Sequence, residues 1–335
     1  VTGVQTCALP ILATFKYFNF FIDSFQAVLD GFGFSSDYLH LNILLPVGIS
    51  FYTFQTLSYT IDIYRKRIEP TRDFLSFALF VSFFPQLVAG PIERAKTLLP
   101  QLEKLKAPTF KMVQDGISLI VLGLFKKVMI GDTAGRYADH IFSDLAIYPS
   151  MEVVVALLLF TIQIYADFSG YSHIARGVAK LLGIELMKNF NQPYFSRNIT
   201  EFWHRWHVSL STWLRDYLYI SIGGNRKGNT RTYFNLLITM LLGGLWHGAS
   251  WNFVIWGGLH GLYLLVHRIW LKDKKVEELN YVFNWATFPK TLISVGFTFL
   301  LVSFTWLFFR ATTFQDAMLF FSKLQHWEPS EFTFQ

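Results

Sequence analysis

An imidazole at the end of an apolar segment is the clearest chemical feature of this sequence. His247 lies in the run Gly243–Gly248 and closes an apolar block that begins at Tyr233. At ~1.5 Å per helical residue, the block places His247 roughly 21 Å from its start, deep in a bilayer. Ionisable residues at that depth are costly and indicate a functional site by default. The alternative is a neutral imidazole that a carbonyl of a neighbouring helix satisfies.

A second candidate is the segment Asn198–Ile220. Asn198 followed by Glu201 is typical of a capping box and predicts that one helix starts here. An apolar stripe at helical spacing follows, made of Trp203, Trp206, Leu210, Trp213 and Tyr217. The predicted adjoining face holds His204, His207, Ser211 and Arg215. The segment is either an interfacial helix with its basic face on lipid phosphates or, at His207, part of a site.

The histidine pair at positions 204 and 207 has no carboxylate or thiol at ligand spacing, so we predict no metal site. Asp167 either caps the next segment or holds an imidazole or a basic helix, and His260 is equally consistent with a structural and a functional role. The candidates for substrate binding or for lining a funnel are His260, Asp167, Trp203, Trp206, Ser211, Arg215, Trp246 and Asn252.

The composition indicates that these residues are held by membrane helices. Hydrophobic residues make up 52% of the 335, and charged residues only 16%, against about 25% in soluble proteins. The net charge is +6, and the basic residues that cause it lie between the apolar blocks. The positive-inside rule accounts for them there, so the charge does not indicate nucleic-acid binding. The single cysteine, Cys7, excludes an intramolecular disulfide and a cysteine-based zinc site.

Several blocks approach the ~20 residues that a membrane-spanning helix needs. They are Ile11–Leu29, Leu41–Ile61, Phe74–Ile92, Ile117–Ile130, Met151–Phe168, Tyr233–His247, Trp251–Leu271 and Leu292–Phe309. Basic loops at 65–72 and 94–111 flank Phe74–Ile92 and both look cytoplasmic, so this block is predicted to be re-entrant or broken at Pro85, Gly90 and Pro91. The loop Asp132–Ser150 is then expected outside.

Six motifs occur in the order of a known family. They are Gly48–Arg65, Phe83–Arg94, Asp167–Ser172, Asn189–Tyr194, Phe202–Gly224 and Leu241–Trp251. In these motifs the chain, from about Ile11 to near its end, resembles the membrane-bound O-acyltransferase (MBOAT) family, most closely the branch that serves alginate O-acetylation. One departure is His173, where the family has Asp, so no acid role is carried over to it.

The resemblance implies an all-α polytopic membrane protein with an MBOAT-like helical ring, re-entrant segments and a central funnel. Residues 11–335 would form one such domain, a fragment that lacks helices at both ends, and residues 1–10 would be a foreign or unstructured terminus. His247, in Trp-His-Gly, matches the family's essential histidine, and His207, in Arg-Trp-His, matches the second.

The same resemblance implies acyl transfer across the plasma (inner) membrane for exopolysaccharide acetylation. The acyl donor would be acetyl-CoA or another cytoplasmic acyl thioester, with no bound cofactor. The implied partners are membrane lipid, an extracytoplasmic acyltransferase or acyl-acceptor protein, and a polysaccharide as final acceptor, but no nucleic acid.

Acyl transfer from a thioester to a hydroxyl requires a base and a donor for the developing oxyanion. We expect His247 as the base and His207 to orient the acyl carbonyl or donate to the oxyanion, with the two roles exchangeable. No Ser-His-Asp order is evident, which favours direct transfer. Two other functions stay open: a proton-coupled transporter or channel with His247, His260 and Asp167 as a relay, and a structural subunit that docks an extracytoplasmic enzyme.

Overall fold

The computed structural model describes residues 2–34, 40–41, 48–87, 90–271 and 288–328. These residues form helices and no β-strand, which confirms the predicted all-α class. The α-helices are α1 Thr2–Gly31, α2 Ile49–Tyr64, α3 Phe74–Ser82, α4 Ala95–Glu103, α5 Phe110–Leu124, α6 Asp132–Phe142, α7 Ser150–Leu181, α8 Ile199–Arg205, α9 Val208–Trp213, α10 Gly228–His247, α11 Trp251–Leu271, α12 Phe288–Arg310 and α13 Phe314–Gln325. Between them lie two π-helices, Phe125–Gly131 and Leu214–Tyr219, and a 3₁₀ turn, Pro193–Phe195.

Most predicted apolar blocks lie within longer helices. Met151–Phe168 is part of α7, which has 32 residues, and Leu292–Phe309 is part of α12, which has 23. These two helices are long and apolar enough to cross a bilayer by length and composition. The block Ile11–Leu29 lies within α1, which also includes residues 2–10. Residues 42–47 of the block Leu41–Ile61 lie outside the described residues.

In the antiparallel pair α10 and α11, the end of α10 and both ends of α11 are as predicted, but α10 begins at Gly228 and not at Tyr233. Helix α10 ends at His247, and α11 runs from Trp251 to Leu271. A Cβ atom on Gly244 would lie 2.2 Å from the Phe253 carbonyl oxygen and 3.0 Å from the backbone of Gly257. Only glycine allows the two backbones to approach this closely.

The predicted break in Phe74–Ile92 is confirmed. Helix α3 has nine residues and ends at Ser82, before Pro85. At ~1.5 Å per residue its length is roughly 14 Å, less than half of the ~30 Å hydrocarbon core. Helix α3 alone therefore cannot connect the two faces of a membrane.

The predicted loop Asp132–Ser150 is wrong over its first part, because α6 occupies Asp132–Phe142. The helix continues from α5 through the π-helix Phe125–Gly131 without a break. Ala134 and Ala138 are buried at helical spacing, so this stretch has an apolar face as well as a charged one. Asp139 accepts a hydrogen bond of 2.8 Å from the Arg310 guanidinium at the end of α12, which gives the charged face a tertiary partner.

Glycines bring α5 and its π-helix into backbone contact with α7. A Cβ atom on Gly123 would lie 2.6 Å from the Gly170 carbonyl oxygen, and one on Gly116 would lie 2.9 Å from the carbonyl oxygen of Gly177. Helix interfaces in membranes favour small residues for this reason. The contact fixes α7, which supplies one wall of the site described below.

We predict that the two loops flanking α3 lie on the same, cytoplasmic side. In the full-length protein with Cys7→Ser, cysteines at the exposed positions Arg72 and Lys104 should both resist a membrane-impermeant maleimide in intact cells. Both should react after permeabilisation. A cysteine at Ile147, which is 69% exposed between α6 and α7, is the outward-facing control. Labelling of only one of the two loop cysteines from outside would contradict the re-entrant segment.

Candidate active site

His247 is the last residue of α10 and is surrounded by aromatic rings. The centroid of its imidazole lies 4.9 Å from that of Trp246 and 5.1 Å from those of Trp256 and Phe309. A Cβ atom on Gly248 would lie 2.1 Å from the Phe253 ring, so a side chain at this position would displace that ring. The imidazole has no hydrogen-bond partner within the described residues, and both of its nitrogens are available to a reactant.

Two cavities meet at His247. The larger has a volume of about 500 Å³, within the usual range for ligand sites. Its lining is Lys127, Phe160, Gln163, Ile164, Asp167, Phe168, Tyr171, Ile174, Trp206, His247, Trp306 and Phe309. The smaller, of about 170 Å³, is lined by Lys16, Ser50, Phe51, Phe168, His207, Trp246 and His247. His247 therefore faces space on two sides.

The predicted single helix over Asn198–Ile220 is wrong at Trp206 and His207. Helix α8 ends at Arg205 and α9 begins at Val208, because His207 adopts the left-handed conformation with φ 43° and ψ 54°. The helix start is as predicted, with the Asn198 side chain accepting from the Glu201 N–H. The Glu201 carboxylate, however, accepts from the N–H of Arg197 and not from that of the cap residue.

The neighbouring residues 189–191 stabilise this break. The Val208 N–H donates to the Asn189 carbonyl, and the Asn191 N–H donates to the Arg205 carbonyl, both at 2.9 Å. Backbone groups released by a helix break inside apolar surroundings need such partners. Because the backbone turns here, His207 leaves the face that holds His204 and points into the smaller cavity.

The Asn189 side chain determines the tautomer of His207. Its Oδ1 accepts from the Ser209 N–H at 3.1 Å and from the Ser209 hydroxyl at 2.9 Å, and lies 3.2 Å from His207 Nδ1. The backbone N–H identifies this atom as the amide oxygen, so the proton of neutral His207 is on Nδ1. Nε2 is buried with no partner. It is therefore an acceptor and cannot donate while the ring is neutral.

The structure brings His207 and His247 into one cavity. Their ring centroids lie 6.3 Å and 4.9 Å from that of Trp246, so their separation cannot exceed the sum of these distances. Trp246 itself stacks on Phe54, which stacks on Trp213 at 3.9 Å. The ring shared by the two imidazoles is thus held by α2 and α9.

Asp167 lies in the middle of α7, which excludes the helix-capping role. It forms a salt bridge of 3.1 Å with Lys127, which also donates to Asp132 at 2.6 Å. Asp167 therefore holds the π-helix that joins α5 and α6. Asp167 and Trp206 line the larger cavity, and Trp246 lines the smaller.

The remaining predicted residues line neither of the two cavities that meet at His247. Trp203, Ser211 and Arg215 line a third cavity of about 230 Å³ together with His204. His260 is fully buried with Nε2 2.9 Å from the Thr305 hydroxyl. Asn252 is buried and donates to the Ala311 carbonyl at 2.8 Å, which ties α11 to the end of α12.

Sequence reasoning missed Lys16, Ser50 and Phe51 in the smaller cavity, Asn189 beside His207, and most of the lining of the larger cavity. Lys16 lies in the predicted block Ile11–Leu29, where an ionisable residue is a functional candidate by the rule applied to His247. Asn189 lies in one of the six family motifs. Nothing in the sequence distinguishes Ser50 or Phe51 from their neighbours.

We predict that Asn189→Leu destabilises the protein. The substitution leaves the Ser209 N–H and hydroxyl and His207 Nδ1 without their common acceptor, and each buried unsatisfied group costs about 1–3 kcal/mol. The midpoint of thermal unfolding in detergent should fall clearly. Asn191→Leu is the matched control, because the Asn191 side chain is exposed and, among the described residues, has its hydrogen bond with Lys188 alone. Equal midpoints for the two variants would contradict the role of Asn189.

Comparison with known proteins gives consistent matches. Residues 65–274 match the membrane-bound O-acyltransferase family. A protein of Pseudomonas putida described as probable alginate O-acetylase AlgI is 46% identical over 90% of this chain and 60% of its own length. Peptidoglycan O-acetyltransferase of Helicobacter pylori is 37% identical over 92% of this chain and 61% of its own.

A more distant relative is teichoic acid D-alanyltransferase of Bacillus subtilis, 26% identical over 82% of this chain and 70% of its own length. The chain spans about 60% of the length of the Pseudomonas relative. The family match covers more than half of the chain, and His207 and His247 both lie within it. On this evidence, the chain belongs to the membrane-bound O-acyltransferase family.

Proposed function

We propose that the full-length protein is an O-acyltransferase, and specifically an O-acetyltransferase of the plasma (inner) membrane with multiple membrane spans. It moves an acyl group from a cytoplasmic thioester to an acceptor on the other side. The observation that carries this proposal is the position of His247 where two cavities meet. One imidazole can then contact a donor and an acceptor that arrive by different routes.

The proposed acceptor is a hydroxyl on an extracytoplasmic acyl-acceptor protein or acyltransferase, with a cell-surface polysaccharide as the final acceptor. The names of the relatives support this class, because alginate, peptidoglycan and teichoic acid are all polymers outside the cytoplasm. The mostly aromatic and aliphatic lining of the larger cavity supports a small acyl group, and membrane lipid surrounds the helices.

In the proposed reaction, His247 takes the proton of the acceptor hydroxyl while its oxygen attacks the acyl carbon. A base must lie within ~3 Å of this proton or one water away, which free nitrogens facing two cavities allow. While the ring is neutral, Nε2 of His207 is an acceptor and cannot hydrogen-bond the acyl carbonyl oxygen, which is also an acceptor. Both roles that the sequence gave to His207 need a hydrogen-bond donor, so the neutral ring fills neither of them through Nε2; this nitrogen can accept a proton, which is the role of the base in the exchanged assignment.

The proton-relay alternative receives no support from the contacts of His260. His260 lines neither of the cavities that meet at His247. The Trp256 ring contacts both imidazoles, with its centroid 5.1 Å from that of His247 and 4.7 Å from that of His260. A relay requires hydrogen bonds or water between its members. Asp167 is engaged with Lys127.

A basic cavity supports a phosphate-bearing donor such as acetyl-CoA. It has a volume of about 410 Å³ and is lined by Asp62, Arg67, Arg94, Lys96, Thr97, Asp216 and Tyr217. Both terminal nitrogens of the Arg94 guanidinium are buried without a hydrogen bond. Burial lowers the pKa of Arg94, and the opposing effects of Tyr217 and of Asp216, 3.8 Å away, only partly offset it. An oxyanion of a phosphate would satisfy these donors.

Aromatic rings connect this cavity to the histidines. The Tyr217 ring lies under the Arg94 guanidinium at 4.5 Å and contacts Trp213 at 5.2 Å. From Trp213 the stack continues through Phe54 to Trp246, beside His247. The loops that supply Arg67 and Arg94 are those predicted to be cytoplasmic, which is the side of the proposed donor.

We predict that Arg94→Gln raises the KM for acetyl-CoA about 10–100-fold with little change in kcat. A hydrogen bond to a charged group contributes about 1.5–3 kcal/mol, and this contact is remote from the reacting atoms. Thiol release by membranes containing the full-length protein measures both constants. Lys104→Gln, exposed in the same basic stretch, should keep the native KM. An unchanged KM for Arg94→Gln would remove the basic cavity from donor binding.

We predict that His247→Ala abolishes acyl transfer without reducing membrane insertion. Loss of a general base costs about 10²–10⁴-fold, and the ring has no structural hydrogen bond to lose. His140→Ala, at an exposed histidine, should retain native activity. The acetyl content of the cell's exopolysaccharide and the release of thiol from acetyl-CoA are the two measurements.

The double variant separates a shared site from two independent ones. Residues that act as a unit give non-additive losses. His207→Ala combined with His247→Ala should therefore be little worse than His247→Ala alone. Retention of most activity by His247→Ala, or full additivity of the two losses, would contradict the shared site.

A further inference from the structure

Lys16 brings a positive charge into the cavity that His207 and His247 share. Its ammonium donates to the Trp246 carbonyl, one residue before His247, and to the Ser50 hydroxyl oxygen at 3.0 Å. The nitrogen also lies 5.8 Å from the centroid of the Trp246 ring. A side chain of the first helix thus reaches the end of α10, 230 residues along the chain.

This charge has no carboxylate within salt-bridge distance in the part of the chain that the structure describes. Placing an unpaired charge among apolar side chains is costly, and such residues in membrane proteins mark functional sites. An ammonium has three N–H donors. Two are used by Trp246 and Ser50, so one remains for a group in the cavity.

The proposed reaction leaves a role that the two histidines do not fill. The attack on a thioester generates negative charge on the acyl oxygen, and preorganised donors aimed at this oxygen supply much of the catalysis. The Nδ1 proton of His207 is committed to Asn189, and Nε2 is an acceptor. His247 is occupied with the acceptor proton. The cavity therefore needs a donor that neither imidazole provides.

We propose that Lys16 is that donor, and that its ammonium stabilises the oxyanion of the tetrahedral intermediate. This inference rests on the proposed acyltransferase function. The Ser50 hydroxyl accepts from Lys16 and so keeps its own proton free to donate to the same oxygen. Lys16 and Ser50 together form an oxyanion hole from α1 and α2, beside the base on α10.

The proton and electron pairs balance without a change in Lys16. The acceptor oxygen loses its proton to His247 and bonds to the acyl carbon, and the carbonyl electron pair moves to the acyl oxygen. When this pair returns, the C–S bond breaks and its electrons go to sulfur. The protonated His247 then gives its proton to the thiolate. Lys16 keeps its three protons throughout.

The next residue, Tyr17, provides a matched control for a purely structural role of Lys16. The Tyr17 hydroxyl donates to the Leu245 carbonyl at 3.0 Å, so both residues cap the C-terminal carbonyls of α10. Tyr17 does not line the cavity of His207 and His247. Tyr17→Phe removes a cap alone, whereas Lys16→Gln removes the charge and retains an N–H donor.

The test measures thiol release from acetyl-CoA by membrane vesicles containing the full-length protein. Lys16→Gln should lower kcat about 10²–10³-fold, the usual cost of removing one oxyanion donor, with KM nearly unchanged. Lys16→Arg should recover part of this loss because it restores the charge. Tyr17→Phe should keep a nearly native kcat. Thermal unfolding of each variant in detergent shows whether the fold is intact.

Ser50→Ala provides a second route if Lys16→Gln does not insert. It leaves the contact with Trp246 in place and should lower kcat without raising KM. A native kcat in Lys16→Gln, or in Ser50→Ala where Lys16→Gln is not obtained, would overturn the oxyanion role. The oxyanion role would also be overturned if Lys16→Gln and Tyr17→Phe lowered kcat by the same factor and lowered the midpoint of thermal unfolding by the same amount. If vesicles with the native protein release no more thiol than those with His247→Ala, the acyltransferase proposal itself fails, and the role of Lys16 fails with it.

Discussion

Two helix ends meet in the apolar interior, and each has backbone groups that lipid or aromatic rings cannot satisfy. One is the C-terminus of α10 at His247, where Lys16 and Tyr17 bind the carbonyls of Trp246 and Leu245. The other is the break at His207, where residues 189–191 supply the partners. Unsatisfied backbone groups are too costly in such surroundings. The two histidines can therefore end or interrupt helices only because these segments cover them.

The same contacts give the site its chemistry. Asn189 satisfies the break and also fixes which nitrogen of His207 carries the proton. Lys16 caps α10 and also places a cation beside both imidazoles. Glycine contacts hold α7 against α5, so Phe168 lines both cavities. Packing and proposed catalysis thus rest on shared side chains, and variants at Asn189 or Lys16 need a separate measurement of stability.

The failed predictions have a common cause, which is that sequence periodicity reports only local structure. The stripe Trp203, Trp206, Leu210, Trp213 and Tyr217 is buried as its spacing predicts, yet the helix that the spacing predicts is broken in the middle. The polar stretch that begins at Asp132 and includes Asp139 is predicted from the sequence to be an external loop. Both are in α6, because Lys127 and Arg310 pair with them. In each case the deciding partner lies outside the segment that carries the pattern.

The sequence by itself determined the helical class, the C-terminus of α10, the bounds of α11, the break after α3 and the two histidines as candidates. These follow from apolar block length, glycine and proline positions and the cost of an ionisable group in lipid, all of which are local. Only the tertiary structure decided that His207 and His247 share a cavity and that Lys16 joins them. These residues are far apart along the chain. Their side chains meet because α1, α2 and residues 189–191 supply hydrogen-bond partners to the unpaired backbone groups at the helix ends.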